Sequence, residues 1–163
     1  MVIKNKKVIS LFILIMLFML CVASYWYLTL RKPYFSLWTP QQNLETAVKE
    51  LEKDQYIALV FGGNWCPECR RLSNDARKQP LKDFLDKHFK VVKVDINYWS
   101  RNMDFAEQYG NSIDNGIPTI VILNKNKQIL NTTKGFELAK FLKKNDSLYI
   151  KFFKYIYENQ HQK

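Results

Sequence analysis

Apolar positions along this chain fall into runs of three kinds. The first is unbroken: Val8 to Leu30 carries no charge over 23 residues, with Lys4, Lys6 and Lys7 before it and Arg31 and Lys32 after it. A helix of that length spans the hydrocarbon core of a bilayer. The second is helical in period. Leu44, Ala47, Val48 and Leu51 recur at i, i+3, i+4 and i+7 behind Thr39-Pro40, a capping hydroxyl followed by proline at the first helical position. The third is short. Tyr56–Phe61 is continuously apolar and reads as a buried strand, Phe89–Ile96 is a β-branched strand, and Ile117–Leu123 and Gln128–Thr132 flank Asn124-Lys125-Asn126-Lys127 as a hairpin. Between these the pattern predicts helices from Pro67 to about Arg77, from Pro80 through Leu81, Phe84 and Leu85 to His88, and from about Arg101 to Tyr109. Gly135 ends the last strand; Leu138, Phe141 and Leu142 then mark a helix, and Leu148, Phe152, Tyr155 and Ile156 a final one.

This order of elements describes an α/β domain: a central mixed β-sheet covered by helices on both faces, its parallel part first and its antiparallel hairpin last. The expected division is an N-terminal membrane segment over residues 1–32, a linker over 33–38 and a folded domain over 39–163. A chain of 163 residues suits one such domain with a full core plus an appendage.

Charge refines the picture of that appendage. Three lysines before the apolar run against two basic residues after it favour an N-terminus in the cytoplasm, and Tyr25, Trp26 and Tyr27 near the outer end suit an interfacial aromatic belt. Cleavage is the competing reading, because Cys21-Val22-Ala23 and Val22-Ala23-Ser24 both offer small-x-small patterns. The apolar run continues past both, which favours an anchor. Cys21 follows Leu20 where a lipidation signal wants a small residue, so it reads as a thiol without chemistry. Either way the body is exported to a compartment where disulfides form. The formal charge is +10, but five of the positive charges flank the apolar run and the rest are spread through the body. No basic cluster with interleaved aromatics marks a nucleic-acid reader, so no nucleic-acid partner is expected.

The candidate chemistry sits where the first strand breaks at Gly62-Gly63 and delivers Asn64-Trp65-Cys66-Pro67-Glu68-Cys69-Arg70 to a helix start. Two thiols three residues apart on a helix share one face and can close into a disulfide. The first also sits where unpaired backbone N–H groups and the helix dipole favour a thiolate. A purely structural bridge across one turn would constrain almost no chain. A zinc site needs about four ligands, and Cys21, His88 and His161 supply none at ligand spacing. A two-coordinate copper(I) site is the least implausible metal reading.

Trp65-Cys66-Pro67-Glu68-Cys69 at a strand-to-helix junction, Gly116-Ile117-Pro118-Thr119 about 50 residues on, and Gly135 before a helix together resemble the thioredoxin superfamily. The resemblance covers roughly residues 39–145 and is closest to bacterial, often membrane-tethered thioredoxin-like proteins. It implies a thioredoxin-like fold behind an N-terminal transmembrane helix, and a thiol–disulfide oxidoreductase with no cofactor beyond a Cys66–Cys69 redox disulfide. It further implies protein thiol or disulfide substrates and a membrane electron donor or acceptor. The expected location is the bacterial inner membrane through Val8–Leu30, with the domain facing the periplasm, or the soluble periplasm after cleavage. A non-enzymatic module of the same fold, binding copper(I) or a partner protein, is the alternative.

Residue by residue, Cys66 at the helix end is expected to be exposed and to attack, with Cys69 a turn inside resolving the mixed disulfide. Pro118 would be cis, setting Ile117 beside Cys66 so that its backbone pairs with substrate like an added strand. Trp65 would pack beside the thiols. Glu68 should disfavour the Cys66 thiolate while Arg70 favours it, and no histidine lies between the cysteines. The expected poise is therefore nearer about −270 mV than about −120 mV, the reducing or isomerising side. One departure stands out. The family's buried aspartate, six residues before the first cysteine, is here Val60, whereas a lysine on the next strand is retained as Lys93, with Asp95 on the same face. Either Glu68 or a water must then assist Cys69, or the second exchange step is slow. Asn97 and Trp99, in the loop after that strand, read as rim or solvated loop.

Overall fold

The Tyr56–Gly62 strand (β1) is apolar on both faces and occupies the middle of a four-stranded sheet of order β2-β1-β3-β4. The computed structural model describes residues 6–30, 32–110, 116–133 and 148–161. β2 (Phe89–Asp95) runs parallel to β1, with Tyr56 opposite Phe89 and Gly62 opposite Asp95. β3 (Thr119–Leu123) is antiparallel to β1, and β4 (Ile129–Thr133) is antiparallel to β3 across the Asn124–Lys127 turn. The mixed sheet, parallel first and hairpin last, is the one the pattern predicts.

Ahead of the sheet stand α1 (Lys6–Leu30) and α2 (Pro40–Lys49). α1 is an apolar helix long enough to cross a membrane, and its spanning window buries nothing inside the molecule. α2 begins as predicted: Thr39 caps it, accepting from the Gln42 backbone N–H, while the Gln42 side chain accepts from Thr39 N–H. α3 (Pro67–Asp75) is slightly shorter than the spacing suggests, and a cis Gln79–Pro80 bond leads into α4 (Leu81–His88). α5 (Met103–Gln108) begins two residues later than expected. α6 (Leu148–His161) is the predicted final helix. The helix expected around Leu138, Phe141 and Leu142, and Gly135 before it, lie outside the described residues.

Strand alternation divides the core. Ile57, Leu59 and Phe61 of β1 pack with Val92, Val94, Val121 and Leu123 against α2 and α5. Ala58 and Val60 point the other way, with Ile120 and Ile122, toward α3, α4 and α6. Tyr34 joins this second cluster. The segment expected as a linker therefore contributes a buried ring to the domain, 3% exposed.

Candidate functional site

Topology brings the site together. Because β2 is parallel to β1, the ends of both strands lie at one edge. Because β3 is antiparallel, its start lies at that same edge. Three loops converge there: Gly63–Cys66, Ile96–Asn102 and Gly116–Pro118.

Cys66 is the N-cap of α3, with extended backbone (φ −77°, ψ 119°), and its Sγ accepts from Cys69 N–H at 3.2 Å. That N–H is one of the orphan donors of a helix start, and Pro67 at the first turn has none to leave unpaired. Cys66 and Cys69 are joined as a disulfide, Cα atoms 5.2 Å apart. The expectation that Cys66 is exposed does not hold: it is 5% exposed, against 0% for Cys69. Its sulfur turns inward to Cys69 and is roofed by the Ile117 carbonyl oxygen, 3.9 Å from Sγ.

The Ile117–Pro118 bond is cis. Thr119, fully buried, donates its hydroxyl to Gly116 O at 2.9 Å, tying the two sides of the bend together. Gly116 has φ +66°, a conformation that side-chain-bearing residues rarely adopt.

Trp65 is half-buried and held from the next loop, its indole N–H donating to Asn97 O at 2.5 Å. Gly63 permits this approach, since a Cβ there would stand 2.7 Å from the Trp65 indole nitrogen. Tyr98 stacks on Trp65, ring centroids 4.8 Å apart and planes 14° from parallel, with its own outer side exposed. Of the two loop residues considered from sequence, Asn97 thus serves the site through its carbonyl. Trp99 packs instead against the cluster on the opposite face.

Lys93 lies on β2 directly across from Val60. Its ammonium donates to Ser73 Oγ at 2.6 Å, and burial, then the nearby Arg77 charge, holds its pKa below the ordinary lysine value. Asp95 turns to the loop, accepting from Asn97 N–H at 3.0 Å and from Arg101 at 3.4 Å. Arg70 is exposed beyond Cys69 on α3. Glu68 is half-buried, with Oε2 enclosed. Sequence reasoning missed Tyr34, Ser73, Tyr98 and Tyr149. Gly62 was the available signal for the first. A glycine ending an apolar strand leaves a hole, and the Tyr34 ring fills it: a Cβ on Gly62 would meet Tyr34 Oη at 2.4 Å.

Among the described residues no group of three or more His, Cys, Asp or Glu side chains converges as metal ligands do. Cys21 is exposed on α1.

A redox-type disulfide at a helix start, facing a cis-proline loop on a mixed sheet, is the arrangement the sequence resemblance anticipates. The sequence model of the thioredoxin-like domain matches residues 41–153. This chain belongs to the thioredoxin-like family. It is similar to a disulphide isomerase from Xylella fastidiosa Temecula1, with 35% identity and a TM-score of 0.71, over 78% of this chain and 98% of that one. It is also similar to Trichomonas vaginalis thioredoxin, at 22% identity and a TM-score of 0.44, over 75% of this chain and 98% of that one. No curated protein matches the sequence. At the general level the thioredoxin-like chain is a thiol–disulfide oxidoreductase.

Proposed function

We propose that this thioredoxin-like protein exchanges disulfides with protein clients in the bacterial periplasm, held at the inner membrane by α1, in the reducing or isomerising direction and without a cofactor. The observation that carries this is the Cys66 sulfur 3.9 Å from the Ile117 carbonyl at the cis-proline bend. A client strand pairing with the Ile117 backbone would be laid across the attacking sulfur. Buried Cys66 needs that alignment, because a sulfur 5% exposed meets few disulfides by chance.

In the reducing direction the Cys66 thiolate attacks one sulfur of the client disulfide. The client S–S bond breaks, a mixed disulfide forms, and the released client sulfur leaves as a thiolate that takes a proton. Cys69 then attacks Cys66 Sγ, closing the Cys66–Cys69 bond and releasing the second client thiol. The client gains two electrons and two protons, and a membrane electron donor restores the dithiol. Trp65, fixed by Asn97 and stacked on Tyr98, walls the approach and offers an aromatic face to the client. Glu68 beside the pair, with no histidine between the cysteines, supports a poise nearer about −270 mV than about −120 mV. The similarity to a disulphide isomerase supports the isomerising direction. The unburied apolar length of α1 and its flanking lysines support the anchor.

Cys69→Ser in the native envelope tests the reading. It should accumulate mixed disulfides through Cys66, and the purified protein should equilibrate with glutathione below about −150 mV. Adducts in Cys66→Ser instead would reverse the roles, and a higher potential would reverse the direction.

A further inference from the structure

Among the described residues, three enclosed side-chain polar atoms have no hydrogen-bond partner within the protein: Tyr34 Oη, Tyr149 Oη and Glu68 Oε2. They come from three separate stretches, the lead-in before α2, the start of α6 and the first turn of α3. Yet they gather on one side of the sheet. Tyr34 and Tyr149 belong to the same packed cluster as Cys66 and Cys69, and Glu68 precedes Cys69 on the helix. Tyr34 interacts electrostatically with Tyr149, and Tyr149 with Glu68. Native proteins pair nearly all buried polar groups, so three unpaired ones beside a buried disulfide call for a reason.

The oxidised pair offers these groups little, because its neutral sulfurs have no S–H to donate and accept only weakly. The reduced pair offers more. Breaking the Cys66–Cys69 bond adds two electrons and two protons, and one proton must reach Cys69, which is 0% exposed. The same proton must leave before Cys69 can attack. On the two strands beneath the helix start no unpaired base is present among the described residues: β1 presents Val60, and the Lys93 ammonium of β2 is engaged by Ser73.

We propose that the Tyr34 and Tyr149 hydroxyls are the hydrogen-bonding partners of Cys69 in the dithiol form, with Glu68 carrying its proton to and from solvent. The inference rests on the reading of Cys69 as the resolving thiol. Both tyrosines remain donors, since burial above all, then neighbouring Tyr149 and Asp95 for Tyr34, keeps the phenol protonated. For Tyr149, burial leads, followed by Glu68 and Asp75, with Arg71 opposing. Glu68 is suited to the exchange because one oxygen is enclosed while the residue is partly exposed. An open groove lined by Pro67, Arg71, Asp75 and Tyr149 brings the surface up to Tyr149 from outside. Donation from two hydroxyls favours the Cys69 thiolate and so speeds the second exchange step.

The test uses the full chain, wild type and variants alike carrying Cys21→Ser so that only Cys66 and Cys69 can react, in detergent micelles, reduced, and mixed with 5,5′-dithiobis(2-nitrobenzoate). Attack by Cys66 releases one thionitrobenzoate anion and leaves a mixed disulfide; attack by Cys69 releases the second. In the double variant Tyr34→Phe/Tyr149→Phe the slowing should fall on the second release. About a tenfold loss is expected, the change in thiolate fraction for one unit of Cys69 pKa, with the pH profile of that phase moved upward. Glu68→Gln should move the same profile. A purely structural hydroxyl would instead show itself as lost stability. The phenylalanine variants should unfold no more easily than wild type in the oxidised form, because the hydroxyls are unpaired there. A second release of unchanged rate and pH dependence in the variants, or an oxidised form that they destabilise, overturns the proposal. Absence of any second release from wild-type protein would remove the role of Cys69 itself.

Discussion

The two faces of the sheet share strands and differ in what they tolerate. Toward α2 and α5, Leu44, Ile57, Leu59, Phe61, Ile96, Val121 and Leu123 are fully buried, and no polar side-chain atom there is left unpaired among the described residues. Toward α3, α4 and α6 the residues are buried as well, yet they enclose the disulfide, two phenols without a protein partner and a carboxylate oxygen. One face is built for cohesion alone. The other gives up some cohesion to keep polar groups beside sulfur, which is what a site whose bonding changes with oxidation state requires. β1 serves both at once, because alternation sends successive side chains to opposite sides.

This contrast breaks if damage to the cohesive face moves the redox chemistry. Leu59→Ala should carry the largest effect, a loss of about 2–5 kcal/mol in denaturant unfolding, since the vacated space is closed in by neighbours. Its glutathione equilibrium should match wild type. A shifted potential would mean that the faces are not independent.

A smaller effect sharpens the contrast from the other side. Gly62→Val places carbon where Tyr34 lies and should cost about 1–3 kcal/mol by overpacking. Combining it with Tyr34→Ala should recover part of that loss, a coupling that separate sites would not show. Additive losses in this double-mutant cycle would mean that Tyr34 does not fill the Gly62 hole.

The least effect at neutral pH belongs to the phenols. Burial raises the pKa of Tyr34 and of Tyr149 above the ordinary value of about 10. Above that value the unfolded chain sheds protons that the folded chain retains, so stability falls as pH rises. The contribution is intact below pH of about 10 and is lost progressively above it. Tyr34→Phe and Tyr149→Phe should flatten this alkaline limb, read as thermal midpoint against pH; a limb unchanged in both variants would mean that neither phenol is held protonated by burial.

The cohesive face and the strand ends were legible in the sequence because periodicity reports burial directly. Tyr56–Phe61 could hardly be other than a central strand, and Trp65-Cys66-Pro67 and Ile117-Pro118 carry backbone constraints in their residue types. The polar half of the site was less legible. Tyr34 sits in a short irregular stretch with no period, and Tyr98 is an exposed loop aromatic, so neither has a local signature. Their positions are set by partners distant in sequence, Asn64 and Gly62 for one and Trp65 for the other. Cys66 was placed on the right element but given too much exposure, because helix-end geometry says nothing of the Ile117 roof arriving from 51 residues away.

Tyr34 has a further consequence as a tether. Its backbone N–H donates to Asn64 Oδ1 at 3.0 Å, so it is fastened to the loop that carries the cysteines. Leu30, the last residue of α1, precedes it by four positions. Even drawn out straight, four residues reach about 14 Å. A chain held in a bilayer by α1 therefore works on a leash too short to sweep the compartment. It would choose clients by their height above the lipid, favouring cysteines presented close to the membrane surface over those of proteins passing at a distance.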